Sequence, residues 1–176
     1  MNKNIEKILY NTGINISAYN IDRELNYLER NLPSTHTNRN VVDIGCGDGK
    51  TSLKLIPIIK PKSFTGVDVS NQLIKTAKKR GIDASVLDIE TQELKGDLGI
   101  MWGVLHHLSN PVKTLKKLKN NFNNLIIRES INEKRLIEVG NKLSQKKLLK
   151  TLERAEIKIA KIIEIKTNKS LIILTK

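Results

Sequence analysis

Apolar positions along the chain recur with two periods, and the two periods alternate. Before residue 33 the spacing is helical: Ile21, Leu25, Leu28 and Leu32 fall three or four residues apart, and a shorter run over 4–11 reads the same way. Pro33 stops that pattern, and residues 33–40 form a polar linker. From Asn40 onward, short apolar runs over 40–45, 63–69, 84–89, 98–105 and 123–130 predict five strands. Between them, residues 50–60, 70–81 and 109–121 carry helical spacing, and another helix is expected over 144–156. The helix ends carry their own signals. Ser70 or Asn71 caps one helix and Gly81 stops it, Asn110 caps the next with Pro111 at its first position, and Ser144 caps the last. Pro57 predicts a kink or an early end in the helix over 50–60. Two apolar runs around a turn at Thr167-Asn168-Lys169 predict a closing hairpin. Strands joined by crossover helices imply an α/β, doubly wound, mostly parallel sheet of seven strands, with the hairpin adding its antiparallel member.

The stretch Val41 to Thr51, VVDIGCGDGKT, holds the first candidate chemistry. Its Gly49-Lys50-Thr51 tail could close a phosphate-wrapping loop, but that loop needs a glycine five positions before Gly49, where Ile44 stands. A dinucleotide turn needs G-x-G-x-x-G, and the spacing here is G-x-G-x-G. The shorter turn, behind Asp43, leaves room for an amino-acid moiety in place of a pyrophosphate. Asp68 ends the second strand, where a carboxylate can accept from both hydroxyls of a ribose. Asp88 ends the third strand, and the fourth runs into GVLHHLSNP.

In chain order, these features resemble the class I S-adenosylmethionine-dependent methyltransferases, and VLHHL with its following proline is similar to a signature common among members acting on small molecules. The resemblance implies a Rossmann-like fold, S-adenosylmethionine as cofactor and transfer of its methyl group to an O, N or C nucleophile. It implies that Gly45, Cys46, Gly47 and Gly49 form the cofactor loop, that Asp68 and Val69 meet the ribose, and that Asp88 meets the adenine amino group with Ile89 beside the ring. Asp43 either contacts the methionine part or orients the loop by accepting backbone N–H bonds. Trp102 joins the cofactor-lining set, although a tryptophan in mid-strand equally serves as core. His106 and His107 are the side chains with acid–base capacity near the expected methyl position; one turns into the fold and the other is the candidate catalytic base. Two departures stand out. LKNNFNN replaces the family's usual LKPGG before the fifth strand, and little chain separates the fifth strand from the sixth. The resemblance therefore implies a minimal enzyme, with residues 1–37 as helical lid and linker and 38–176 as the methyltransferase domain.

Composition narrows the function classes. The 176 residues suit one domain; 39% are hydrophobic and 28% charged, which describes a globular chain. Cys46 is the single cysteine, so no internal disulfide forms, and its place in the loop excludes the cysteine-nucleophile route to cytosine methylation. No apolar run reaches signal-peptide or membrane-spanning length, so a cytoplasmic protein without membrane attachment is expected, and no metal site is expected. The net charge of +13 predicts weak, salt-sensitive attraction to nucleic acid. Aromatics at 3% are too few for stacking platforms, and no Asn/Asp-Pro-Pro-aromatic motif follows the fourth strand. A small-molecule acceptor is the leading expectation. An RNA methyltransferase, or a cofactor-fold subunit that serves a partner enzyme without its own catalysis, are the alternatives.

Overall fold

The computed structural model describes residues 21–131 and 143–176. The helix expected over 4–11 lies outside them. Seven strands form one sheet in the order β3-β2-β1-β4-β5-β7-β6. They are β1 (Asn40–Ile44), β2 (Ser63–Asp68), β3 (Ala84–Val86), β4 (Gly96–Trp102), β5 (Phe122–Ser130), β6 (Ile159–Ile165) and β7 (Ser170–Thr175). The first five run parallel, and β7 pairs antiparallel with both β5 and β6. The doubly wound α/β sheet and its closing hairpin follow the expected topology.

Helices cover both faces. On one, α1 (residues 21–31) and α2 (Lys50–Ile59) bury Leu25, Leu28, Leu55 and Ile59 against Val41, Leu98, Ile100, Ile126, Ile172 and Leu174. At the β2–β3 end of the sheet, α3 (Asn71–Lys79) seats Ile74 and Ala77 beside Cys46 and Ala84. On the other face, α4 (Pro111–Asn121) and α5 (Gln145–Arg154) pack Leu115, Leu118, Leu148 and Leu152 on Val42, Met101, Leu125, Ile127 and Ile173. Neighbouring strand residues divide between the two faces with a period of two, and both faces are apolar because both are covered.

Local chemistry sets the ends. The Ser70 hydroxyl accepts from Leu73 N–H, Asn110 from Lys113 N–H and Ser144 from Lys147 N–H, so all three expected caps form. Gly81 follows α3 with φ of +86°, a left-handed stop. Pro57 does not end α2, which continues to Ile59. β3 is half its expected length, because Asp88 draws the chain into a turn: its carboxylate accepts from Glu90 N–H and Thr91 Oγ1. Where LKNNFNN departs from the usual loop, there is no loop at all. α4 ends at Asn121 and β5 begins at Phe122.

Candidate active site

The glycine turn between β1 and α2 stands at the carboxyl end of the parallel strands, where α/β sheets bind their ligands. Gly45, Gly47 and Gly49 have φ of 75°, 57° and 81°. Gly45 is also pressed from outside: a Cβ there would lie 2.6 Å from Val104 Cγ2, so any side chain would meet the segment after β4. Gly45 and Cys46 N–H both donate to Val67 O, at 2.7 and 3.0 Å, which ties the turn to β2. Arg80, at the end of α3, reaches back to Asp48, donating to its backbone oxygen at 2.7 Å and pairing with its carboxylate at 3.1 Å.

Asp68 completes the turn. Its Oδ2 accepts from Gly47 N–H at 3.0 Å and its Oδ1 from Ser70 N–H at 2.8 Å. Each oxygen of a carboxylate has two acceptor positions, so one on each remains for a further donor. Val69 beside it is 67% exposed. A carboxylate with spare acceptors, an exposed apolar neighbour and a glycine-rich turn fit a cofactor with a ribose and an amino-acid arm. Asp88 lies one strand further along, and its turn is clamped from two sides. Lys117 Nζ donates to Ile89 O at 2.6 Å and Gln92 O at 2.7 Å, while the Glu90 carboxylate accepts from Ser109 and Asn110 N–H at 3.1 and 2.9 Å. The Asn110 amide, foremost, holds the Glu90 carboxyl below its ordinary range. These bonds join the turn after β3 to the segment after β4. Ile89 itself is buried in the core beneath that turn.

Asp43 and Cys46 play quieter parts. Asp43 is buried, and its Oδ2 accepts from Ser52 Oγ of α2 at 2.6 Å; the bond expected to loop amides is made to that hydroxyl instead. Burial pushes the Asp43 carboxyl up to about 6, against the Ser52 hydrogen bond. Cys46 packs between Ile74, Ala77, Ile82 and Ala84, and burial pushes its thiol up to about 12, so it stays protonated and unreactive.

The segment after β4 carries two side chains with acid–base capacity, His106 and His107. Leu105–His107 forms one turn of 3₁₀ helix, held from below by Glu129, a fully buried residue of β5. Glu129 Oε1 accepts from Leu105 N–H at 2.7 Å, and Oε2 lies 2.8 Å from His106 Nδ1. With a carboxylate as acceptor, the tautomer that carries its proton on Nδ1 makes this bond and leaves Nε2 as an acceptor. His107 is exposed, its ring stacked at a tilt 3.9 Å from that of His106. Trp102 packs on the α1 face with the cluster around Leu25 and Leu28, and its buried Nε1 has no partner. On that same face Arg128 donates through Nε and Nη2 to the carboxylate of Glu24, a fully buried residue of α1.

Sequence reasoning singles out the turn, Asp68 and the two histidines, and the structure places them at or just beyond the carboxyl ends of β1, β2 and β4. It missed Glu129, Arg128, Glu24 and Arg80, each of which acts through a partner distant in sequence; charged residues at the end of an apolar strand (Arg128 and Glu129) were the one available signal. Among the described residues, no group of three or more His, Cys, Asp and Glu side chains is placed to hold a metal ion.

Comparison with known proteins places this geometry. Residues 42–123 match the family model described as a methyltransferase domain. The tRNA U34 carboxymethyltransferase of Campylobacter fetus subsp. fetus is 34% identical over 93 residues, covering 47% of this chain and 32% of that protein. The chain spans less than half the length of the curated relatives it matches. A chain from the complex of the Haloferax volcanii Trm112 methyltransferase activator superposes with a TM-score of 0.75 at 12% identity, over 99% of this chain and 98% of that one. Magnesium protoporphyrin IX methyltransferase from Synechocystis, solved with bound S-adenosylhomocysteine, gives 0.65 at 19% identity over 89% and 81%. At these identities the superpositions speak for the fold.

Proposed function

We propose that the chain carries a class I S-adenosylmethionine-dependent methyltransferase domain, as the match over residues 42–123 and the shared fold support, and that it transfers the methyl group to a small-molecule nucleophile with His106 as the base. The carrying observation is the His106–Glu129 pair at the open end of β4. When bound, S-adenosylmethionine supplies an electrophilic methyl on a sulfonium, a transfer that needs alignment and dryness more than activation. The cofactor would be held by the turn Gly45, Cys46, Gly47 and Gly49, by Asp68 with Val69, and by the Asp88–Ile89 turn, with Asp43 and Trp102 at its edges. Glu129 fixes the imidazole and stabilises its protonated form, so Nε2 can take a proton from an acceptor hydroxyl or ammonium. His107 remains the alternative base, and its exposure favours a place at the rim.

Two measurements test this reading. His106→Ala and Glu129→Gln should each lower kcat by about a hundredfold or more, with S-adenosylhomocysteine binding unchanged; equal loss from His107→Ala alone would move the role to that residue. For the acceptor, labelled S-adenosylmethionine is incubated with cell extract, and small metabolites, protein and RNA are separated. Label in the small-molecule fraction is expected. Label in RNA would establish the second reading, an RNA acceptor, which the likeness to tRNA U34 carboxymethyltransferases and the charge of +13 favour. A third reading, a cofactor-binding subunit that serves a partner enzyme, predicts label in none of them.

A further inference from the structure

Two polar side chains, His106 and Arg128, reach over Gly103 from opposite faces of the sheet. Arg128 and Glu129 are consecutive on β5 and so point to opposite sides. Glu129 carries His106 on one side, and Glu24 carries Arg128 on the other. His106 Cε1 and Arg128 Nη1 each lie 3.8 Å from the point where a Cβ on Gly103 would sit. Both side chains keep 15% of their surface exposed, and both supporting glutamates keep none. The imidazole and the guanidinium therefore both border the position that the missing side chain of Gly103 leaves free.

The Arg128 guanidinium is committed on one edge only. Nε and Nη2 donate to Glu24, at 2.8 and 2.5 Å, and Glu24 Oε1 also accepts from Ser170 Oγ at 2.7 Å and Asn168 Nδ2 at 3.4 Å. That carboxylate is shared among several donors and holds the planar group rigidly. Nη1 takes no part in the pair and lies beside Gly103. Two further polar groups stand at the same end of the same face: Trp102, the register partner of Arg128, and Ser130, two residues beyond it. Trp102 Nε1 and Ser130 Oγ are buried with no hydrogen-bond partner, and Ser130 is only 7% exposed. Buried polar groups are nearly always satisfied, and the register puts these two on the same face and at the same end of the sheet as the half-committed guanidinium.

We propose that Arg128 docks an anionic group of the methyl acceptor, a carboxylate or a phosphate monoester, beside the His106 base. A guanidinium edge takes either oxyanion, and a side chain preorganised by a bidentate pair loses little freedom in doing so. The proposal rests on the small-molecule reading above and names the class of acceptor.

Trp102 is the only tryptophan of the chain, and its fluorescence reports on the strand position paired with Arg128. Wild-type protein with S-adenosylhomocysteine is titrated with inorganic phosphate and, separately, acetate, with chloride holding ionic strength constant. A saturable change beyond the chloride control is expected. The stronger of the two anions distinguishes a phosphate ester from a carboxylate. Arg128→Gln should weaken binding about tenfold or more, the size of one charged hydrogen bond. Glu24→Gln should instead tighten it, because the guanidinium loses its competing carboxylate; a role confined to holding α1 in place predicts no such gain. The proposal is overturned if neither anion gives a saturable change in wild type and Glu24→Gln, or if Arg128→Gln, folded by circular dichroism, binds as wild type does. Should Arg128→Gln fail to fold, the Glu24→Gln titration decides alone. Calorimetry with S-adenosylhomocysteine runs in parallel: its failure would remove the methyltransferase reading, whereas cofactor binding without anion binding would remove only this proposal.

Discussion

Asp43 sits in β1, 2% exposed and hydrogen-bonded to a serine hydroxyl. Burial, helped by the nearby charge of Asp68, raises its carboxyl from 3.8 to about 6 against the Ser52 bond. Between those two values the folded chain keeps a proton that the unfolded chain has released. Stability therefore falls as pH rises through that window and levels off above it, by about 3 kcal/mol for a shift of roughly two units. Asp43→Asn keeps an oxygen to accept from Ser52 but cannot titrate. Urea melts of wild type and variant should show their stability difference moving by about 3 kcal/mol in the variant's favour between about pH 4 and pH 7; a constant difference would mean that Asp43 is ionised throughout. At this scale the sequence was most readable where chemistry is local. The glycines and Asp68 lie within a turn and the strand next to it, so a short motif and the resemblance it carries single them out. Glu129 and Arg128 read as the polar end of a strand, and Glu24 as one more charge on a helix. Their roles come from pairing across 23 residues for His106 and Glu129 and 104 for Arg128 and Glu24, distances that only the fold closes.

Among the elements, α1 departs most from its sequence reading. Amphipathic spacing was correct about the helix and led to the expectation of a lid. The described part is also a member of the core: Leu25 and Leu28 are 4% and 0% exposed, and Glu24 enters the polar end of β5 and β7. Periodicity reports which face of a helix is apolar, not whether the surface beneath it is permanent or transient. Breaking a buried pair from one side leaves a charge without compensation. Glu24→Ala should therefore cost about 3 kcal/mol, the lower end of the usual range because Arg128 keeps some contact with water, as read by chemical denaturation. Replacing both partners, Glu24→Leu with Arg128→Met, should recover most of that loss. An additive double variant would show that the pair contributes nothing to anchoring α1. Other boundaries moved for plain reasons: the Asp88 carboxylate ended β3 early, and α4 ran straight into β5 because Phe122 N–H already closes the helix onto Leu118 O.

At the scale of the whole molecule, charge competes with shape in choosing the acceptor. A net +13 attracts any polyanion, whether or not it is a substrate. The described cations, however, are divided by the sheet. Lys75, Lys78 and Lys79 ride on α3 at one face, while Lys113, Lys116, Lys117 and Lys119 on α4 and Lys146, Lys147 and Lys150 on α5 occupy the other. Several are already engaged: Lys116 and Lys119 with Glu156, and Lys117 with the backbone of the Asp88 turn. No described helix is long and apolar enough to cross a membrane, so a membrane-spanning helix among them does not account for the charge. RNA held only through phosphates releases counterions, and its affinity then falls by about a thousandfold between roughly 50 and 200 mM salt for six contacts. Fluorescence anisotropy with two labelled RNA oligonucleotides of unrelated sequence, measured at both salt concentrations, should show that steep loss and no preference between the two. Methyl transfer to a small acceptor, governed by His106, Glu129 and the turn around Gly45, should keep its rate over the same range. Binding that survives the higher salt and discriminates between the sequences would instead assign the basic surface to recognition, and with it an RNA acceptor to the site.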